Sequence, residues 1–243
     1  GFQDKADEGW KKIIEVVQAE GSKIFPQLWH VGAMRKEGMA PDPKVPGYTP
    51  SGLVNTNKQA AHAMTADEVE ILIECFVKDI LKIKDLGFDG VELHDAHGYL
   101  IDNFFWEGTN QRDDTYGGEI DKRTKFACEI IKRARKEIGR DFPIAIRFSQ
   151  WKQQDYEAKL AHTPDELEKF LMPLVDAGVD VFHASNRRYW EPEFEGSDLN
   201  LAGWTKKISG LPTITVGSVG LKSDFIGLYA VSYTHLRAHE TQR

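Results

Sequence analysis

Cysteine is scarce in this sequence. Cys75 and Cys128 are the only two, far apart and both in helical-looking segments, which excludes a disulfide-stapled scaffold and leaves two reduced thiols. Long hydrophobic runs are missing as well. No stretch approaches the roughly 18 apolar residues of a membrane span, and the opening residues do not read as a secretory signal. Basic charge is short: 31 Lys and Arg stand against 38 Asp and Glu, a net charge of −7. With no basic stripe and no interleaved aromatics, a general nucleic-acid binder is excluded. A GxGxxG fingerprint is absent, so a Rossmann dinucleotide site has no support. Internal repeats, low-complexity tracts and linkers are also lacking. One cytoplasmic domain with no membrane or nucleic-acid partner is therefore expected.

What the 243 residues do contain is an alternation of apolar, β-branched runs with long helical patterns. "GWKKIIEVVQAEG" reads as a helix closed by Gly21, followed by a strand at 23–32, "KIFPQLWHVG". Thr65 and Glu68 form a capping-box pair for the next helix, which Gly87 terminates. A strand at 87–96 follows, then the helix "DKRTKFACEIIKRARKEIG" and the strand "PIAIRFSQ". Thr163 caps a helix with Pro164 at its first position, and the strands "VDVFHASN" and "LPTITVGSVG" complete the series. Near-continuous apolar strands of this kind belong to a parallel sheet, either doubly wound or a closed (β/α)8 barrel. The strand ends favour the barrel. Gln27 and His30, His94 and His97, Arg147, His183 and Ser185, and Gly217 and Ser218 all sit at C-terminal strand ends, as on the catalytic face of a barrel. The Pro/Gly-rich stretch 32–64 and the loop 98–122 are long enough to be lids or binding loops.

The densest chemistry lies in "VELHDAHGY", which places His94, His97 and Tyr99 within six residues. Three readings are open. The histidines could finish a strand and bond to backbone; with Asp95 they could ligate a metal, though few ligands converge; or two imidazoles could donate to one substrate oxygen beside a phenol that supplies a proton. Arg147, a charge inside an otherwise apolar strand, requires a carboxylate or an anionic ligand. Gln27 offers an amide donor and acceptor suited to a heterocycle edge, or to a satisfied core position. "ITVGSVG" is a phosphate-nest candidate that an ordinary strand-to-helix turn would also resemble. "NRRYWEPEFEGSD" could line a pocket or lie on the surface. No strand-borne lysine stands out as a Schiff-base former.

"PQLWHVGAMR", "GFDGVELHDAHGYLIDNFFWEGTNQRDDTYGG", "IRFSQ" and "TITVGSVG", in this order and spacing, resemble the old yellow enzyme family of NAD(P)H:flavin oxidoreductases. The resemblance runs from residue 9 to about 226. It implies an α/β fold, a partial (β/α)8 TIM barrel holding about strands three to seven of eight, and non-covalent FMN with NADH or NADPH as reductant. It further implies Gln27 at the flavin pyrimidine edge, Arg147 near the flavin N1 side, and Gly217 and Ser218 in part of the phosphate site. His94 and His97 would bind the oxygen of an α,β-unsaturated carbonyl, and Tyr99 would protonate the α-carbon.

Residues 1–230 are thus expected to form an FMN-binding barrel segment that by itself binds flavin weakly and is inactive, with homo-oligomerisation open to the full-length protein. Residues 231–243, "VSYTHLRAHETQR", resemble a translated sequencing adapter, so the i,i+4 pair His235 and His239 is set aside. Two rival readings stand beside the stand-alone ene-reductase. One is the N-terminal barrel of a larger FMN and iron–sulfur dienoyl-CoA reductase or amine dehydrogenase; the other is a flavin-free barrel lyase.

Overall fold

A computed structural model of the chain describes residues 4–219; the expected helix at "KSDFIGLYA" and the tail 231–243 lie outside the described residues. In chain order the elements are α1 (Asp7–Ala19), β1 (Gln27–Leu28), β2 (Tyr48–Thr49), β3 (Leu53–Asn55), β4 (Lys58–Gln59), β5 (His62–Ala63), α2 (Ala66–Leu86) and β6 (Val91–His97). Then follow α3 (Leu100–Phe105), α4 (Ile120–Arg123), α5 (Lys125–Ile138), β7 (Ile144–Lys152), α6 (Pro164–Ala177), β8 (Val181–Ser185), α7 (Leu201–Ser209) and β9 (Thr213–Val216).

Five strands form one sheet in the order β1-β6-β7-β8-β9, every pairing parallel. Spatial order equals chain order, with a helix in each connection. A doubly wound sheet reverses its strand order at a switch point; this one does not. Right-handed crossovers in an unreversed series put all the helices on one face and curl the sheet around the other. The result is the arc of a (β/α)8 barrel, with its strand C-terminal ends along one rim.

Register fixes what each face carries. Leu28, Leu93, Ile146 and Phe182 lie side by side and join the buried core beneath the helices. On the opposite, concave face the rows are polar: Gln27 beside Glu92, and His94, Arg147 and His183 abreast. A one-residue slip would exchange these sets, so the apolar core also fixes the site's register.

The helices are specified locally. Thr65 Oγ1 accepts from the Glu68 N–H at 3.2 Å while the Glu68 carboxylate accepts from the Thr65 N–H at 2.8 Å, a reciprocal cap worth about 1 kcal/mol. Val69, Ile73, Phe76, Val77, Ile80 and Ile83 form the buried stripe of α2. Phe104 stacks on Phe126 at 4.1 Å, fastening α3 to α5.

Three expectations need adjustment. The strand expected at 23–32 is reduced to Gln27–Leu28; Pro26 has no N–H to donate, although its carbonyl accepts from Glu92 and that of Ile24 from Asp89. The stretch 32–64, expected as a long lid or binding loop, also carries two short pairings, β2 with β5 and β3 with β4. The helix expected after residue 120 divides at Thr124, whose hydroxyl donates to the Asp121 carbonyl. Among the described residues, no helix is long and apolar enough to cross a membrane.

Candidate active site

The end of β6 is built to turn sharply. The pairing of β6 with β7 shifts register between Asp95 and His97. His97 then adopts φ +63° and Gly98 φ +82°; a left-handed non-glycine residue carries strain and persists only where its surroundings hold it. Here Ser149 Oγ accepts from the His97 N–H at 2.9 Å, and the His97 carbonyl accepts from Gln153 N at 3.2 Å. The Gly98 N–H donates to Asp102 Oδ2 at 2.6 Å and its carbonyl accepts from Asn103 Nδ2 at 3.0 Å. Tyr99 follows in extended conformation as the residue before α3.

This turn gathers aromatic rings. The His94 ring lies 5.2 Å from that of His97 and 5.2 Å from that of Tyr99. His97 stacks on Trp151 at 4.5 Å with 26° between planes, and Trp29 meets Tyr99 edge-on at 5.0 Å. The Tyr99 hydroxyl oxygen accepts from Gln153 Nε2 at 3.0 Å. Thus the three residues singled out in "HDAHGY" do converge. They do not present equivalent nitrogens, however. His97 Nε2 shares a hydrogen bond with Ser185 Oγ at 2.8 Å, whereas His94 Nδ1 is enclosed with no hydrogen-bond partner among the described residues.

Both imidazoles are neutral at physiological pH. Burial, then the positive charge of Arg147, pulls His94 down to about 4 and His97 to about 3. A neutral imidazole donates from one nitrogen and accepts at the other, so the pair can bind a carbonyl oxygen without bringing a second cation beside Arg147.

Arg147 stands in the same sheet row as His94 and His183. Burial pulls its pKa down against the opposing field of Glu92. One guanidinium nitrogen donates weakly to Ser185 Oγ at 3.3 Å, and Nε is enclosed without a partner among the described residues. Glu92 is answered instead by His183 Nδ1 at 2.7 Å and by the Gln27 amide at 2.5 Å. Burial would raise the Glu92 carboxyl; the bond and charge of His183, with Gln27 and Arg147, hold it below the ordinary value. Gln27 is exposed on the concave face and already spends one amide hydrogen on Glu92.

Gly217 and Ser218 lie just past β9, at φ +128° and +60°. A Cβ at Gly217 would come within 2.4 Å of the Asn186 carbonyl oxygen. That close approach gives the glycine a packing reason of its own, apart from any phosphate. Ser218 Oγ reaches the Arg187 carbonyl at 3.4 Å. The turn therefore ties the ends of β8 and β9 together on the same rim as His94.

Asp95, the third member of the metal reading, is wholly buried and pushed upward by burial. No cluster of three or more His, Cys, Asp or Glu suited to a metal ion occurs among the described residues. A strand-borne lysine does exist: Lys152, at the end of β7, is fully buried and paired with Asp102 at 2.6 Å. Closed off in this way, it offers no amine to a substrate.

Sequence reasoning missed Glu92, Trp151, Gln153 and the Lys152–Asp102 pair. The first two were signalled by alternation. Glu92 lies two residues before His94, and Trp151 four after Arg147, on the faces those residues share. Nothing in the local sequence signalled the other three, which depend on contacts across 50 residues or more.

Comparison with known proteins follows the same lines. The profile of the NADH:flavin oxidoreductase / NADH oxidase family matches residues 2–226. An NADH oxidase of Thermoanaerobacter brockii is 36% identical over 226 residues, 89% of this chain and 34% of that protein. 12-Oxophytodienoate reductase 2 of Arabidopsis thaliana is 33% identical over 68% of this chain and 46% of its own length. The chain thus spans about a third to a half of these curated relatives. Among solved structures, morphinone reductase superposes with a TM-score of 0.78 at 23% identity, covering 97% of this chain and 66% of that one, which bears on the fold. With the matched profile covering all of the described barrel arc, the chain belongs to the NADH:flavin oxidoreductase / NADH oxidase family, the family of old yellow enzyme.

Proposed function

We propose that the complete protein is an FMN-dependent NAD(P)H oxidoreductase that reduces an activated C=C bond such as that of an α,β-unsaturated carbonyl. The observation that carries this reading is the convergence of His94, His97 and Tyr99 at 5.2 Å ring spacings, with a partly buried arginine beside His94 in the same sheet row.

The residues fit a flavin nucleotide. Arg147 Nε and His94 Nδ1 are enclosed polar atoms without partners among the described residues, and buried polar groups left so are costly unless a ligand meets them. Gln27 retains an amide hydrogen and an oxygen on the concave face for a heterocycle edge. Arg147 would hold the electron-rich side of the ring system, and the Gly217–Ser218 turn would sit at the phosphate. When bound, reduced FMN supplies the hydride that arrives at the substrate β-carbon.

The chain's own residues would do the rest. His94 and His97, both neutral, stabilise negative charge as it develops on the substrate carbonyl oxygen. His97 can do so from Nε2 by exchanging its Ser185 contact for substrate. Tyr99 gives its phenolic proton to the α-carbon, completing net addition of hydride and proton across the double bond. NADH or NADPH would use the same pocket in turn.

The test is the visible absorption spectrum of the purified complete gene product. A bound oxidised-flavin spectrum, followed by consumption of an enone with NAD(P)H, supports the reading. A folded, colourless protein that FMN cannot reconstitute overturns it and leaves a flavin-free lyase. A second reading is favoured by the NADH oxidase match, of which this chain spans 34%: the chain is the barrel of a longer flavoprotein with an iron–sulfur centre. Iron and acid-labile sulfide analysis of the same preparation separates the two.

A further inference from the structure

Behind the His97–Tyr99 turn lies an ion pair that the reaction itself does not use. Lys152 and Asp102 are both wholly inaccessible, with Nζ 2.6 Å from Oδ1. Such a pair costs desolvation energy, and apolar residues of similar size often match or exceed its stability. Its contacts show what it secures. The second carboxylate oxygen of Asp102 accepts from the Gly98 N–H at 2.6 Å. Lys152 Nζ also donates to the Ser149 carbonyl at 3.0 Å, and the Ser149 hydroxyl accepts from the His97 N–H at 2.9 Å. Of two successive N–H groups in a left-handed turn, that of Gly98 is therefore held directly by Asp102, and that of His97 by Ser149, the residue whose carbonyl Lys152 holds.

We propose that Lys152 and Asp102 are positioning residues: together they lock the His97–Gly98 turn, which lays the His97 ring on Trp151 and turns the Tyr99 ring toward His94. Asp102 is the anchor and Lys152 orients it. The inference rests on the reading above, in which His97 binds the substrate oxygen and Tyr99 supplies the proton. Without the anchor, the strain of a non-glycine residue at φ +63° would be relieved by rotation of the turn. Displacing a reacting group by about 1 Å costs on the order of a hundredfold in rate.

The test compares two double variants of the complete, flavin-loaded protein. Asp102→Leu with Lys152→Met removes both charges and the acceptor for Gly98. Asp102→Asn with Lys152→Met removes both charges but keeps that acceptor. Both avoid an unpaired buried charge, so both are expected to unfold in urea near the wild-type midpoint. With cyclohexenone and NAD(P)H, the leucine variant is expected to lose roughly tenfold to a hundredfold in kcat with KM within about threefold. The asparagine variant is expected to recover most of that loss.

A readout independent of turnover is amide hydrogen exchange of His97 and Gly98, slow in the wild type and at least about tenfold faster in the leucine variant. Equal protection in all three proteins, or a stable leucine variant with wild-type kcat, overturns the proposal. His97→Ala and Tyr99→Phe serve as references. If these lose activity while the leucine variant keeps it, positioning alone has failed. If neither reference loses activity, the catalytic reading has failed and the proposal falls with it.

Discussion

Gln153 donates a side-chain amide hydrogen to the Tyr99 hydroxyl oxygen at 3.0 Å. That bond occupies one lone pair of the oxygen, orients the phenol and leaves its hydrogen free to point elsewhere. The prediction is a graded one. Tyr99→Phe should lower enone reduction by about a hundredfold or more, the range of a lost general acid. Gln153→Leu, which leaves the phenol in place, should cost only about threefold to tenfold, one hydrogen bond's worth. Steady-state kcat for both variants checks this; equal losses would mean that Gln153 acts on something other than Tyr99.

The neutral histidines make stability depend on pH. In the unfolded chain an imidazole titrates near 6.5, but folded His94 and His97 titrate at about 4 and about 3. Between these values the unfolded state binds more protons, so stability rises with pH through that window and is lost as pH falls from 6.5 toward 4. Arg147, Glu92 and His183 face the same cluster. Glu92, held below its ordinary value, adds a loss only at lower pH. Urea unfolding of the flavin-free protein should show a decline on the order of 2–3 kcal/mol from His94 between pH 7 and pH 4. His94→Gln should remove that contribution and leave one of similar size from His97. An unchanged slope would show that His94 is not the group responsible.

Arg147 is the cation whose presence in a strand demanded a partner. Among the described residues its neighbours supply only Ser185 at 3.3 Å and the field of Glu92, so a ligand is expected to complete its surroundings. Arg147→Met should raise the FMN dissociation constant roughly tenfold to a hundredfold, the value of a charge-assisted hydrogen bond. Lysine should rescue little, since a point charge cannot reproduce the planar fork. Flavin fluorescence quenching on titration measures both. An unaltered dissociation constant would detach Arg147 from the flavin site.

How far the sequence reveals this molecule depends on range. Thr65, Glu68, Thr163 and Pro164 act within one helical turn, and the structure realises each as expected. The five-strand parallel order follows from apolar runs separated by helices. Register does too, because Leu93, Ile146 and Phe182 can be buried in only one phase. "HDAHGY" marked the candidate site because its members are neighbours in the chain. The partners that tune it are not: Ser185 reaches His97 across 88 residues, His183 reaches Glu92 across 91, and Gln153 reaches Tyr99 across 54. Lys152 was invisible for a further reason. A lysine at a strand end reads as exposed, since a buried one is tolerable only with a carboxylate such as Asp102 in place.

The Gly217–Ser218 turn separates packing from ligand binding. Gly217 has φ +128°, and a methyl carbon placed on it would lie 2.4 Å from the Asn186 oxygen, so Gly217→Ala strains the backbone whether or not a phosphate binds. A loss on the order of 1–3 kcal/mol is expected in the flavin-free protein. Ser218 is the contrary case. At φ +60° a serine is strained and glycine is not, so Ser218→Gly should leave stability unchanged or raise it slightly. If the turn also serves the phosphate, the same change removes a hydroxyl donor and weakens FMN binding. Opposite signs for stability and affinity at Ser218 would therefore identify it as a residue kept for its ligand. Parallel signs would leave the turn as the tie between β8 and β9 that Gly217 already makes.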